Sequence, residues 1–386
     1  MDTDAINDAA PPATNAGREP PRMPAQKVLD FLKTQGFYLA VVILVIIMGS
    51  LKTWKEFRAQ EEQRRTGQQQ ENAGPIPLLQ KDLDAQEKAC LTVALSRPEG
   101  RYRRAAAFAE AVESLNQFLL WGGGAVALVM GLSWAVRGRI AARPGLPEPP
   151  WGLWDVAKLA ALWAVCVQLL HTKLFFPLDP ERPFAVPGDW IAEIFVAILL
   201  AGAMIHIVVA ERGGHLRDLG IRGKFFGGIG LGLTAFLVVQ PFLRLVAVLE
   251  ERAARDGWIP DISVQQIIQV ISKTRSGWVV ALAAIVAIVV APISEELLFR
   301  GFLQPALGHW VGHRSAIVLS AAFFAVAHMD LYAMPILLLL GIALAYVYDR
   351  TRSLAAPVAL HMAFNGMTLL SIFAFRGLVT VLRAPR

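Results

Sequence analysis

"GWVVALAAIVAIVVAPISEELLFRGFLQ", residues 277–304, carries no charge from Gly277 to Ser294 and then places Glu295, Glu296 and Arg300 within six positions. The uncharged part approaches the roughly 20 apolar residues that a helix needs to cross a bilayer. A charged side chain at membrane depth costs about 2.5–3.5 kcal/mol on insertion scales, so such groups turn toward a cavity or a partner and mark function. This stretch therefore reads as a membrane helix that opens onto something polar.

The rest of the chain agrees. Of 386 residues, 55% are hydrophobic and 18% charged, and the mean hydropathy is +0.47, far from the balance of a soluble domain. Lysine and arginine number 37 against 31 acidic residues, a net charge of +6. The excess lies in short loops between apolar runs, where it orients helices. It does not form a nucleic-acid surface, and no nucleic-acid partner is expected. The two cysteines, Cys90 and Cys166, form no C-x-x-C pair, so thiol chemistry is not expected either.

Further apolar runs fall near 37–51, 117–136, 153–176, 189–210, 225–249, 315–329, 334–348 and 355–375. They predict an all-α, polytopic transmembrane helical bundle with eight or nine spans. Arginines and lysines at 137–143, 212–224, 314 and 350–352 occupy alternate loops, which puts those loops and the N-terminus inside the cell. Residues 1–30, rich in Ala, Pro, Asp and Asn, read as a disordered cytoplasmic tail without the pattern of a signal peptide. Residues 31–51 follow as the first transmembrane helix, 52–116 as a polar helical extramembrane insertion, and 117–224 as further membrane helices. Glycines 122–124 and 223–232 are expected to let helices approach closely in lipid. Residues 225–380 form the expected catalytic membrane core, in an integral membrane protein of a bacterial inner membrane.

Three polar clusters stand on three successive helices of that core. Glu296 and Arg300 are four residues apart with the acid first, the favoured order for an ion pair along one helix face. Glu295 points about 100° away from Glu296, so one carboxylate can be held by the arginine while the other faces a cavity. Phe324 and His328 repeat the spacing, and so do His361 and Asn365. A carboxylate, a histidine able to share a water with it, and a His/Asn pair of donors suit hydrolysis of an amide without a covalent intermediate. The H-E-x-x-H of a zinc helix is absent. The remaining histidines, at 171, 206, 215, 309 and 313, repeat no such constellation.

The ordered set E-E-x-x-x-R, F-x-x-x-H and H-x-x-x-N resembles the CPBP family, the CAAX prenyl endopeptidases and bacteriocin-processing or immunity proteins also called the ABI family. The resemblance covers roughly residues 225–375. It implies a helical intramembrane protease of glutamic type whose site opens into the bilayer from the cytoplasmic side. Glu295 and His328 would activate a water, His361 and Asn365 would form an oxyanion hole, and Glu296 with Arg300 would orient the site. No cofactor or metal is then needed, and the partners are the bilayer and a peptide or membrane-protein substrate; oligomeric state stays open. Two other readings use the same residues. One is a zinc protease with Glu295, His328 and His361 as ligands; the other is a non-enzymatic scaffold or a transporter relaying protons through these charges.

Overall fold

A computed structural model describes residues 100–137, 148–171, 185–222, 225–255, 276–328, 330 and 332–383. The expected tail, first span and residues 52–99 of the insertion lie outside the described residues. Within them the fold is all helical: α1 Gly100–Arg137, α2 Leu153–His171, α3 Ala185–Ile205, α4 Phe225–Arg255, α5 Gly277–Val311, α6 His313–Ala327, α7 Met334–Thr351 and α8 Ala355–Arg383. A π-helical turn, His206–Glu211, prolongs α3. Helix α1 runs without a break across position 117, from its charged first half into its apolar second half.

Five segments are long and apolar enough to cross a membrane: Trp190–Glu211, Phe226–Glu250, Gly277–Val311, Met334–Thr351 and Ala355–Ala374. The expected eight or nine spans are not reached among the described residues. Helix α6, with 15 residues, rises about 22 Å, short of a hydrocarbon core of about 30 Å.

Small residues set the helix packing, as the glycine spacing predicts. On α4, a Cβ at Gly228 would press on Ala355, and one at Gly232 would overlap the Ala356 carbonyl and the Ala359 methyl. The α4–α8 contact therefore depends on bare backbone. On α1, a Cβ at Gly123 would overlap the carbonyl of Leu237. Pro241, inside α4, lacks the N–H that would bond that carbonyl four residues back, and α1 packs where the ladder is interrupted. Gly122, Gly124, Gly227 and Gly230, by contrast, face open space. Gly232→Val is thus expected to lower stability by about 1–3 kcal/mol through overpacking, whereas Gly230→Val costs only about the difference in helix propensity, with either sign. Thermal unfolding of both variants in detergent checks this, and equal losses would contradict it.

Helix α5 positions the site. It is interrupted by two π-helical turns, Val286–Val290 and Leu297–Leu303, each followed within two residues by a proline, Pro292 or Pro305. Proline cannot donate to the carbonyl four residues before it, and the widened turns absorb the mismatch. Carbonyls in or beside these turns accept side-chain donors from other helices: Ala287 from Asn365 (2.8 Å), Phe299 from Ser320 (3.1 Å) and Phe302 from the Trp151 indole (2.9 Å). Three neighbouring elements thereby fix the rotation of α5.

Candidate active site

The adjacent glutamates of α5 take different environments. Glu296 is fully buried, while the Glu295 side chain is 28% exposed. Glu296 Oε1 accepts from Arg300 Nη1 (3.0 Å) and lies 2.9 Å from His361 Nδ1. Arg300, also fully buried, donates through Nη2 to the Gly341 carbonyl on α7 (3.2 Å) and lies 4.4 Å above the Phe324 ring. The guanidinium thus joins α5, α6 and α7 through an ion pair, a carbonyl and an aromatic face. At that carbonyl α7 lies close to α6: a Cβ at Gly341 would sit 3.0 Å from Ala321.

His328 ends α6. Its Nδ1 lies 2.7 Å from the Phe324 carbonyl, which can only accept, so Nδ1 carries a proton and Nε2 is the nitrogen left to hold a lone pair or a second proton. That nitrogen is 3.9 Å from Glu295 Oε2. The same oxygen is 3.9 Å from His361 Nε2. Glu295, His328 and His361 therefore converge on one small gap, walled by Phe324, whose ring centroid is 4.7 Å from His328 and 5.6 Å from His361. The structure brings together five of the six residues singled out in the sequence. Asn365, one turn beyond His361, spends one amide N–H on Ala287, leaving the other for a ligand.

The spacing bears on metal binding. Two ligands of a tetrahedral zinc, each 2.0–2.1 Å from the ion, stand about 3.3 Å apart. Both histidine nitrogens are 3.9 Å from the Glu295 oxygen, too wide for zinc as they stand. Two acceptors hydrogen-bonded to one water, at about 2.8 Å each, can be separated by up to about 4.6 Å at a tetrahedral angle. As it stands the gap is wide for zinc and of a size for one water.

Two groups that periodicity did not single out support the site. Glu250, buried near the end of α4, accepts from the Ile336 N–H (2.8 Å) at the start of α7. Asp330 Oδ1 accepts from the N–H groups of Tyr332 and Ala333 (3.1 Å each). Together they fasten the start of α7, where the Ile336 N–H has no partner within the helix. A cavity of about 260 Å³ elsewhere, lined by His215, Asp218, Arg222, Tyr348 and Arg352 among others, involves none of the six candidate residues.

Fold and site define an all-helical integral membrane protein with a buried polar cluster between its last four described helices. Residues 277–367 match the family model described as Type II CAAX prenyl endopeptidase Rce1-like. Over 86 residues the chain is 31% identical to a Bacillus subtilis (strain 168) protein named "Putative membrane peptidase YdiL"; the match covers 22% of this chain and 35% of that one. No solved structure matches. The family match and the relative agree with the CPBP resemblance of this segment. All six candidate residues fall inside the matched segment.

Proposed function

We propose that the chain is an intramembrane endopeptidase that hydrolyses a peptide bond with a water activated by Glu295 and His328. The observation that carries this reading is the convergence of Glu295 Oε2 with two imidazole Nε2 atoms, each 3.9 Å away, beside a fully buried Glu296–Arg300 pair. A water in that gap donates one hydrogen to Glu295 and a second to the His328 lone pair. Its oxygen attacks the carbonyl carbon, the carboxylate of Glu295 takes the proton, and the same proton passes to the departing amine nitrogen.

The oxygen of the tetrahedral intermediate needs donors. Asn365 offers its second N–H. His361 offers Nε2 when that nitrogen carries a proton, a state in which Glu296, on its Nδ1, is the balancing charge. Glu296 and Arg300 set the orientation of the imidazole and touch no substrate. The substrate is a peptide or membrane protein reached within the bilayer, and the CAAX-type class of the matched family makes hydrophobic C-terminal segments the first ones to try.

The experiment is cleavage of hydrophobic peptides by the full chain in lipid nanodiscs, read by mass spectrometry. Wild type is expected to release two fragments, with a free carboxylate and a free amine at one peptide bond. Asn365→Ala and His361→Ala are expected to lower turnover about 10²–10³-fold per donor lost. Cleavage that Asn365→Ala leaves at the wild-type rate removes the oxyanion role, and a wild-type protein that cuts nothing returns the site to the scaffold or transporter reading.

A further inference from the structure

Helix α3 buries one stripe and exposes the other, apart from one residue. Ala192, Leu200 and Met204 are buried, with Trp190, Val196, Ala201 and Ala203 packed against core clusters. At 100° per residue these fall within about 180° of one another. Ile191, Phe195, Ile198, Leu199 and Ile205 are exposed and fall on the opposite arc. Glu193 is exposed too, yet its angular position is near the centre of the buried stripe, between Trp190, Val196 and Leu200. It is the only Asp, Glu, Lys or Arg between Trp190 and Ala210.

An exposed carboxylate in the packed stripe of an apolar helix faces an opening between helices. The neighbouring helix is α5: Trp190 and Ile288 both pack against the cluster of Ala283 and Leu369, whereas Leu200 and Met204 share a cluster with Leu297 and Phe302. Glu193 lies between these two levels, opposite the part of α5 that leads to Glu295. No hydrogen bond or ion pair to another described residue satisfies it. Formal charges from Arg300, Glu296, Glu295 and Glu193 sum to −2, or to −1 in the state in which His361 carries a proton on both ring nitrogens. The opening beside the candidate site thus holds an acid at membrane depth whose charge a cation, water or its own protonation must offset, and a substrate cation would hold it ionised.

We propose that Glu193 is a specificity-determining residue that binds a positively charged side chain, lysine or arginine, of the substrate peptide beside the scissile bond. This rests on the endopeptidase reading and adds a substrate preference to it. The cation would enter along the α3–α5 opening, and its charge would be balanced by Glu193 without a claim on Glu295.

The test uses the full chain in nanodiscs and hydrophobic peptides in matched pairs, with lysine or norleucine at each position near the centre. Two readouts are taken: cleavage by wild type, and capture by the Glu295→Gln protein, each with and without Glu193→Gln. Lysine peptides are expected to be favoured about tenfold in kcat/KM and in capture, the equivalent of about 1.4 kcal/mol. Glu193→Gln is expected to bring that ratio to about one, and Glu193→Asp to keep part of it. Cleavage without a lysine preference, or a preference that survives Glu193→Gln, overturns the proposal and leaves the endopeptidase intact. Lysine-selective capture without cleavage supports the cation subsite and overturns the endopeptidase. Neither cleavage nor selective capture overturns both.

Discussion

Glu295→Gln is expected to reduce peptide cleavage by about 10²–10⁴-fold, the contribution of a positioned general base, with no loss of folded protein. The amide keeps the size of the carboxylate and one accepting oxygen but cannot take a proton from water. Folding is spared because Glu295 is 28% exposed and is not part of the Glu296–Arg300 pair. His328→Ala is expected to fall in the same range, because the alanine removes the lone pair across the gap while Phe324 still closes the wall. Turnover of purified variants, alongside thermal unfolding and size-exclusion profiles, separates chemistry from folding. Intact membrane peptides accumulating in cells that make Glu295→Gln would identify natural substrates by mass spectrometry. Full turnover in either variant would remove the water-activation assignment.

Arg300→Leu carries the largest expected effect on stability, about 3–5 kcal/mol, the cost of leaving a buried partner charge uncompensated. Both side chains are fully buried, so solvent cannot take over from the guanidinium. The variant also strips the Gly341 carbonyl of a donor and the Phe324 ring of its cation. Replacing both members, Glu296→Leu with Arg300→Leu, is expected to recover much of the loss, since an apolar pair of similar volume can match a buried ion pair. Recovery stops short of wild type because His361 Nδ1 loses its acceptor. The double variant should fold and remain inactive. Unfolding free energies for the four members of this cycle check the claim; a loss below about 1 kcal/mol for Arg300→Leu contradicts the coupling seen in the geometry.

Much of the candidate site was legible in spacing alone. Four-residue intervals at 296/300, 324/328 and 361/365 each put two groups on one face, and the 100° step between neighbours separated Glu295 from Glu296. The structure has the buried pair and the half-open carboxylate on those terms. What the spacing could not show was how α5 is rotated against its neighbours. That depends on two π-helical turns, for which Pro292 and Pro305 were the only local sign. A proline marks a missing donor but does not tell whether the helix kinks, widens or ends. Asn365 is the consequence: its face was readable, its bond to the Ala287 carbonyl was not.

Fold class was legible from apolar runs and loop arginines, and the described helices follow those runs closely from 189 onward. The number of crossings was not, because a run of apolar residues records hydrophobicity without fixing where a helix begins. Helix α1 joins a charged half to an apolar half in one rod, and α6 is apolar but short. Glu193 and Glu250 escaped notice for a related reason. Neither has an oppositely charged partner at helical spacing, so its meaning comes only from what the facing helix presents.

In the proposed mechanism one solvent molecule is shared by Glu295, His328 and His361. Diffraction data from crystals of the full chain, collected on both sides of the zinc absorption edge, test it most directly. A single water peak is expected within hydrogen-bond distance of Glu295 Oε2 and both Nε2 atoms, with no anomalous signal there. An anomalous peak about 2 Å from all three groups, or side chains turned away from one another around separate solvent sites, would contradict it.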